Sequence, residues 1–68
     1  MPERLHNRLK EERERLQLTQ AQLAEKVGVS RKTINTVENG IFIPSTLLAL
    51  KLANATGRTV EQLFYLSD

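Results

Sequence analysis

Side chains that donate hydrogen bonds are concentrated at residues 31–36. Arginine, lysine, threonine and asparagine can all donate to phosphate oxygens or to the edges of nucleic-acid bases. In a helix, the apolar residues Ile34 and Val37 lie together on one face and leave the donors on the outward side. The segment therefore predicts a helix that packs on one face and presents donors on the other. These donors are Arg31, Lys32, Thr33, Asn35 and Thr36.

Two short helices joined by a tight turn are predicted to position the donors. Thr19 can cap the first helix, and Gln22, three residues later, can complete a capping box. Gly28 can end this helix because glycine adopts a left-handed conformation without a Cβ penalty. Ser30 can cap the second helix. So short a link forces the helices to cross steeply, as in a helix-turn-helix spanning about residues 19–39.

Three further helices are predicted, which gives an all-α fold of five helices. The first covers residues 3–16, the fourth covers residues 46–56, and the fifth follows a second capping box formed by Thr59 and Gln62. On the apolar stripe of the first helix, Arg13 stands where another leucine would be expected. A charge on an apolar face needs a partner.

Composition bounds the class of protein. The chain has 68 residues and a formal net charge of +2 at pH 7, so we expect one small domain over residues 1–68 without a separate effector domain. The absence of cysteine excludes disulfides and thiolate metal sites. His6 is alone and is expected at the surface, so neither a metal nor a cofactor is predicted. No apolar run approaches a membrane span, and a cytoplasmic protein is expected.

Catalysis finds no support in the sequence. No serine or cysteine stands in a plausible relation to a histidine and an acid, and there is no glycine-rich phosphate loop. The small net charge does not by itself indicate a nucleic-acid partner. The basic signal is local, because Arg31 and Lys32 are adjacent whereas acidic residues cluster in the predicted first helix. We therefore expect a binding protein and not an enzyme.

The segment LTQAQLAEKVGVSRKTINTVENG, followed by IPSTLLALKLANATGRTVEQLF, resembles the Xre/Cro family of helix-turn-helix repressors related to the phage lambda repressor. The similarity extends from about residue 4 to Tyr65. This resemblance implies a lambda-repressor-like domain that binds double-stranded DNA with its second helix-turn-helix helix in the major groove. It also implies a transcription regulator, and a repressor in particular.

The family pattern implies which residues contact bases. Arg31 is the candidate for guanine, since its planar fork matches the acceptors O6 and N7. Lys32 could contact guanine or a phosphate. Thr33 and Thr36 could touch a thymine methyl group or a phosphate. The alternative is that Arg31 and Lys32 form an ordinary solvated helix face.

The resemblance also implies phosphate contacts by Gln20, Asn35 and Asn39, although Gln20 could equally be a simple first-turn residue. Many relatives carry a lysine or arginine just after the Glu-Asn-Gly turn, whereas this chain has the apolar residues 41 and 42. A common backbone contact is thus missing or replaced. Family members hold an arginine at the position of Arg13 against the glutamate at Glu38, which implies a partly buried structural ion pair.

Surplus apolar residues on the fourth helix and near the C-terminus indicate a partner surface. One short recognition helix covers only a few base pairs, so two copies are expected to bind a palindromic operator. We predict a homodimer through the fourth helix and residues 60–68. The expected interface residues are Leu47, Leu50, Phe64, Tyr65 and Leu66.

A second hypothesis is a protein-interaction module that retains the same fold. An antitoxin bound to a toxin partner is one example. A purely protein-binding role gives no reason for the donor-rich face at residues 31–36, which favours the regulator. The two functions can overlap, because an antitoxin can repress its own operon.

Overall fold

The computed structural model describes residues 3–67; Asp68, the last residue of the predicted interface segment, lies outside the described residues. Two short strands enclose five helices in sequence order. The elements are β1 (Arg4–Asn7), α1 (Leu9–Arg15), α2 (Gln20–Val27), α3 (Arg31–Glu38), α4 (Thr46–Thr56), α5 (Val60–Leu63) and β2 (Phe64–Ser67).

The five predicted helices are present, but the prediction of a purely α-helical fold needs one correction, because a small sheet forms at the two ends of the described residues. β1 and β2 form a two-stranded antiparallel sheet in which Arg4 lies opposite Ser67 and Asn7 lies opposite Phe64. The backbone N–H of Arg8 continues this connection by donating to the carbonyl of Leu63 at 2.7 Å. The sheet therefore joins the two ends of the described chain.

The first helix is shorter than predicted because it begins at Leu9, where the Asn7 side chain accepts a backbone hydrogen bond. The Asn7 Oδ1 atom accepts a hydrogen bond from the backbone N–H of Leu9 at 3.1 Å, and its Nδ2 atom donates to the carbonyl of Val37 at 2.9 Å. One side chain thus supplies an acceptor at the start of α1 and a donor at the end of α3. Residues 3–8, predicted as helix, are strand and connection instead.

The capping boxes and the turn of the helix-turn-helix are confirmed. The Thr19 hydroxyl accepts from the backbone N–H of Gln22 at 3.0 Å, and the Gln22 side chain accepts from the backbone N–H of Thr19 at 2.8 Å. Gly28 ends α2 in the left-handed region with φ of 74°. Ser30 caps α3 by accepting from the backbone N–H of Thr33 at 3.1 Å. Thr59 and Gln62 form the same reciprocal pair before α5.

The core lies between the helices and is closed by the first residue of β2. α4 contributes Leu52, which has no exposed surface, and β2 contributes Phe64. The buried apolar residues are Leu9, Leu23, Ala24, Val27, Ile34, Val37, Leu48, Leu52, Ala53, Leu63 and Phe64. This core holds α2 and α3 against each other.

Within residues 3–67, every helix is too short or too polar to cross a lipid bilayer.

Candidate nucleic-acid interface

α3 is packed by one face and leaves the other in solvent. Ile34 and Val37 are 0% and 1% exposed, respectively, and fix the inner face in the core. Arg31, Lys32 and Asn35 are exposed on the rest of the helix. The hydrophobic periodicity of α3 therefore determines which donors point outward.

Arg31 and Lys32 occupy the N-terminal turn of α3, where the helix dipole is positive. None of the ion pairs within residues 3–67 involves either side chain. By contrast, Arg13, Arg15 and Arg58 are each paired with a glutamate. The cations at the start of α3 are thus available to an anionic ligand.

The two threonines of α3 are half-buried and use their hydroxyl groups within the helix. The Thr36 Oγ1 atom donates to the carbonyls of Lys32 and Thr33, at 3.0 Å in both cases. The Thr33 Oγ1 atom lies 2.9 Å from Ser30 Oγ. The hydroxyl proton of Thr36 is therefore already used, which leaves its methyl group and oxygen lone pairs for an external contact.

The predicted phosphate ligands surround α3, but two of them already make internal bonds. Gln20 Nε2 donates to Glu38 Oε1 at 3.1 Å, and Asn39 Nδ2 donates to the carbonyl of Asn35 at 2.8 Å. An amide NH₂ group carries two donors, so one remains on each side chain. The Asn35 side chain is exposed and makes no hydrogen bond among the described residues.

Arg13 and Glu38 meet between α1 and α3. Arg13 Nε lies 2.7 Å from Glu38 Oε2, and Arg13 Nη2 lies 3.2 Å from Glu38 Oε1. Arg13 Nη1 donates to the carbonyl of Leu18 at 2.8 Å. The side chains are 11% and 3% exposed, respectively. The hydrogen bond with Glu38 raises the pKa of Arg13 above its ordinary value, against the opposing effect of burial.

The predicted interface residues do not all lie at the surface. Leu47, Leu50 and Leu66 are 64%, 52% and 62% exposed. Phe64 is only 8% exposed because the first residue of β2 faces the core, so it offers a partner little surface. It does line the apolar groove beside Leu50, and its place in an interface stays a prediction. The largest apolar exposure lies at residues 41–43, which the predicted dimer interface does not include. A run of large apolar residues in a connection between helices was the available signal.

Tyr65 is 39% exposed and contacts two side chains at β1 and directly after it. Its ring is stacked on His6 with the centroids 5.4 Å apart, and the guanidinium carbon of Arg8 lies 4.2 Å from the Tyr65 centroid. His6, expected at the surface, is therefore half-buried. Its Nε2 atom is buried and has no hydrogen-bond partner among the described residues.

The packed pair of α2 and α3, with the exposed donors of α3, is the arrangement of a helix-turn-helix domain, and known proteins similar to this chain agree. The helix-turn-helix family model matches residues 9–63. A Bacillus subtilis protein, YgzD, named as an uncharacterized HTH-type transcriptional regulator, is 41% identical over 64 residues, which cover 94% of this chain and 97% of YgzD. A relative from Methanothermobacter thermautotrophicus with the same description is 46% identical over 61 residues, covering 88% of each chain.

A solved structure gives the same result. The crystal structure of a proposed DNA-binding protein from Bacteroides fragilis superposes with a TM-score of 0.81 at 30% sequence identity, covering 90% of this chain and 98% of that one. The chain therefore belongs to the Xre-type helix-turn-helix family.

Proposed function

We propose that the protein is a sequence-specific DNA-binding transcription regulator that inserts α3 into the major groove. The exposed face of α3 is the main support. It presents Arg31 and Lys32, which have no ion-pair partners among the described residues, and the exposed amide of Asn35. Ile34 and Val37 hold the opposite face of the helix in the core. The similarity to proteins named as transcriptional regulators also supports this function.

In this proposal the Arg31 guanidinium donates to both the O6 and the N7 atoms of a guanine. Lys32 reads a neighbouring base or contacts a phosphate, and Thr33 and Thr36 contact bases at their methyl groups. Gln20, Asn35 and Asn39 contact phosphates at the two sides of the groove. These contacts fix the register of α3 on the duplex but carry no sequence information.

The test is a comparison of base preference in wild type and Arg31→Ala. A preferred duplex is selected from a random oligonucleotide pool, and binding is measured by fluorescence anisotropy against a duplex with one guanine replaced. Loss of a bidentate arginine contact should reduce discrimination at that position by roughly 5- to 150-fold. Lys26→Ala removes a cation from α2, beside the groove between α2 and α4, and should leave the base preference unchanged. Equal preferences in wild type and Arg31→Ala would contradict the proposal.

We further propose that the regulator binds a palindromic operator as a homodimer. Leu50 is exposed on α4 and lines an apolar groove of about 210 Å³ together with Leu5, Ala49 and Val60. Leu47, three residues earlier, is also exposed but lines a separate groove with Val29 and Phe42. A second copy can cover the Leu50 surface symmetrically, because Leu50 and its groove belong to the same patch on each chain. Such a dimer sets the two copies of α3 about 34 Å apart, one turn of DNA.

Sedimentation equilibrium tests the dimer. Wild type should associate at micromolar concentration, whereas Leu50→Glu should be monomeric because it buries an unpaired carboxylate in the interface. Leu16→Glu makes the same chemical change at an exposed leucine just after α1 and should remain dimeric. A wild-type monomer, with or without operator DNA, would count against this interface.

Repression is the proposed regulatory outcome, since a bound dimer blocks other proteins from the same DNA. In vitro transcription from a promoter that overlaps the selected site should fall as the protein is added, and a rise would indicate an activator.

The exposed residues 41–43, at 77%, 47% and 70%, favour one alternative, an antitoxin-type module with a protein partner. Stoichiometric co-purification with one small protein, together with loss of DNA binding in the complex, would support that alternative.

A further inference from the structure

The C-terminal end of α3 has few donors left for a phosphate. The backbone N–H groups of Gly40, Ile41 and Phe42 donate back to the carbonyls of Val37 and Thr36, at 3.0, 2.9 and 3.1 Å, respectively. The apolar residues 41–43 that follow bring no charge. A helix C-terminus also carries a partial negative charge. This side of the recognition helix therefore has no cation of its own.

β1 brings a cation to this place. A cleft of about 440 Å³ separates β1 from the end of α3, and Arg4, Asn39, Gly40 and Ile43 are among its lining residues. Arg4 is exposed and belongs to none of the ion pairs within residues 3–67. Its guanidinium is therefore available to a ligand that approaches the end of α3.

The position of β1 is fixed by two independent connections. Arg4 pairs with Ser67 in the sheet, and Asn7, at the other end of the strand, donates to the carbonyl of Val37 in the last turn of α3. His6 lies between them and also lines the cleft. Because its buried Nε2 atom has no partner among the described residues, a polar atom near this cleft has an unmet hydrogen-bonding requirement.

We infer that Arg4 contacts a phosphate of the DNA backbone beside the C-terminal end of α3, and that it supplies the cation missing from the turn after Asn39. This inference rests on the proposed function, because the phosphate reaches the cleft only when α3 lies in the groove. The contact is electrostatic and adds affinity to every sequence alike. Glu3 lines the same cleft and opposes the phosphate, so the two neighbouring side chains act with opposite signs.

The experiment measures binding to the selected duplex and to a scrambled duplex over a range of salt concentrations. Arg4→Gln should weaken binding to both duplexes by the same factor. It should also reduce the slope of log K against log salt concentration by about 0.9 for each bound protomer. Glu3→Gln should strengthen binding to both. Lys26→Gln removes an equal charge at the α2–α4 groove and should leave the slope unchanged.

Three outcomes would overturn the inference. The first is an Arg4→Gln variant with the salt slope of Lys26→Gln, and the second is a change of base preference in Arg4→Gln. The third concerns Arg4→Lys, which keeps the charge and is used if thermal unfolding shows that Arg4→Gln weakens the sheet. If Arg4→Lys also reduces the slope of log K against log salt concentration, a phosphate contact is excluded. Wild-type protein that binds neither duplex would instead refute the proposed function itself.

Discussion

Truncation of Arg13 to alanine should destabilise the fold by about 3–5 kcal/mol, because it leaves a buried carboxylate without its partner. The Glu38 side chain is 3% exposed and loses both guanidinium contacts, the shorter of which is 2.7 Å. Among residues 3–67, only Gln20 Nε2, at 3.1 Å, remains as a side-chain donor to it. The carbonyl of Leu18 also loses a donor. A chain of this length has a total stability of roughly 3–10 kcal/mol, so the loss is a large fraction of it.

Urea unfolding followed by circular dichroism measures this loss, and a double-mutant cycle assigns its cause. If the stranded charge dominates, Arg13→Met combined with Glu38→Leu should recover most of the stability, since apolar replacement of a buried pair is neutral or stabilises by about 1–4 kcal/mol. Arg31→Ala is the matched control, because Arg31 is an exposed arginine without an ion pair among the described residues. Its midpoint should stay close to that of wild type.

Two results would refute this reasoning. An Arg13→Ala midpoint equal to that of Arg31→Ala would mean that the pair contributes no more than an exposed charge. If Arg13→Met combined with Glu38→Leu is as unstable as the sum of the single variants Arg13→Met and Glu38→Leu, the loss comes from packing and not from the unpaired carboxylate. In either case the slope of the unfolding free energy against urea must match that of wild type for the comparison to hold.

Three further predictions concern local features. The hydrogen bonds from Arg58 and Arg15 hold the pKa of Glu12 below its ordinary value of 4.5. Their stabilising effect is therefore present above pH 4.5 and is lost as the pH falls through the lowered pKa. Glu12→Gln should flatten the fall of the unfolding free energy at acid pH, and an unchanged fall would contradict this. Gly28→Ala should cost about 1–2 kcal/mol in urea melts, because the φ of 74° is strained for a side chain although no atom lies within 4 Å of the added Cβ. Thr19→Ala should cost about 1 kcal/mol, with Thr19→Ser retaining the cap; equal losses in both would exclude a capping effect.

Local signals were sufficient to predict the helix-turn-helix. Thr19, Gly28 and Ser30 specify helix ends through bonds to residues at most five positions away. α4 also has its predicted bounds, since Ser45 caps it and Gly57 ends it. Capping and left-handed termination act within one turn of helix, so the sequence alone contains the necessary information.

The sheet could not be predicted in this way because its partners are far apart in the chain. The spacing of Leu5 and Leu9 fits a helix, and four residues of strand give only a weak periodic signal. What decides the outcome is pairing with residues 64–67 and the bond from Asn7 to Val37, which is 30 positions away. Two local signs were nevertheless present: an asparagine two residues before Leu9, and apolar residues after the last helix.

The sequence predicts which charged side chains the candidate interface contains, but it does not predict which of its donors already make internal hydrogen bonds. Helical periodicity places Lys32 outward. Arg31 lies three residues before Ile34 in the same repeat, but it is exposed as the first residue of α3. It does not reveal that the hydroxyl of Thr36 donates within its own helix or that the amide of Gln20 donates to Glu38. Those bonds depend on rotamers and on a contact between two helices, neither of which follows from residue spacing.

Glu38 connects the stability of the fold to the proposed DNA-binding face. Its Oε1 atom accepts from both Arg13 and Gln20, so one carboxylate holds α1 against α3 and also orients an amide at the start of α2. In the proposed complex, a carboxylate close to the phosphate at Gln20 would ordinarily repel it, but the bidentate arginine neutralises the charge. Gln20 donates one amide hydrogen to Glu38, which fixes the direction of the amide and leaves the second hydrogen for the proposed phosphate contact. If Gln20 makes that contact, the buried pair both joins two helices and supports an anion-binding amide.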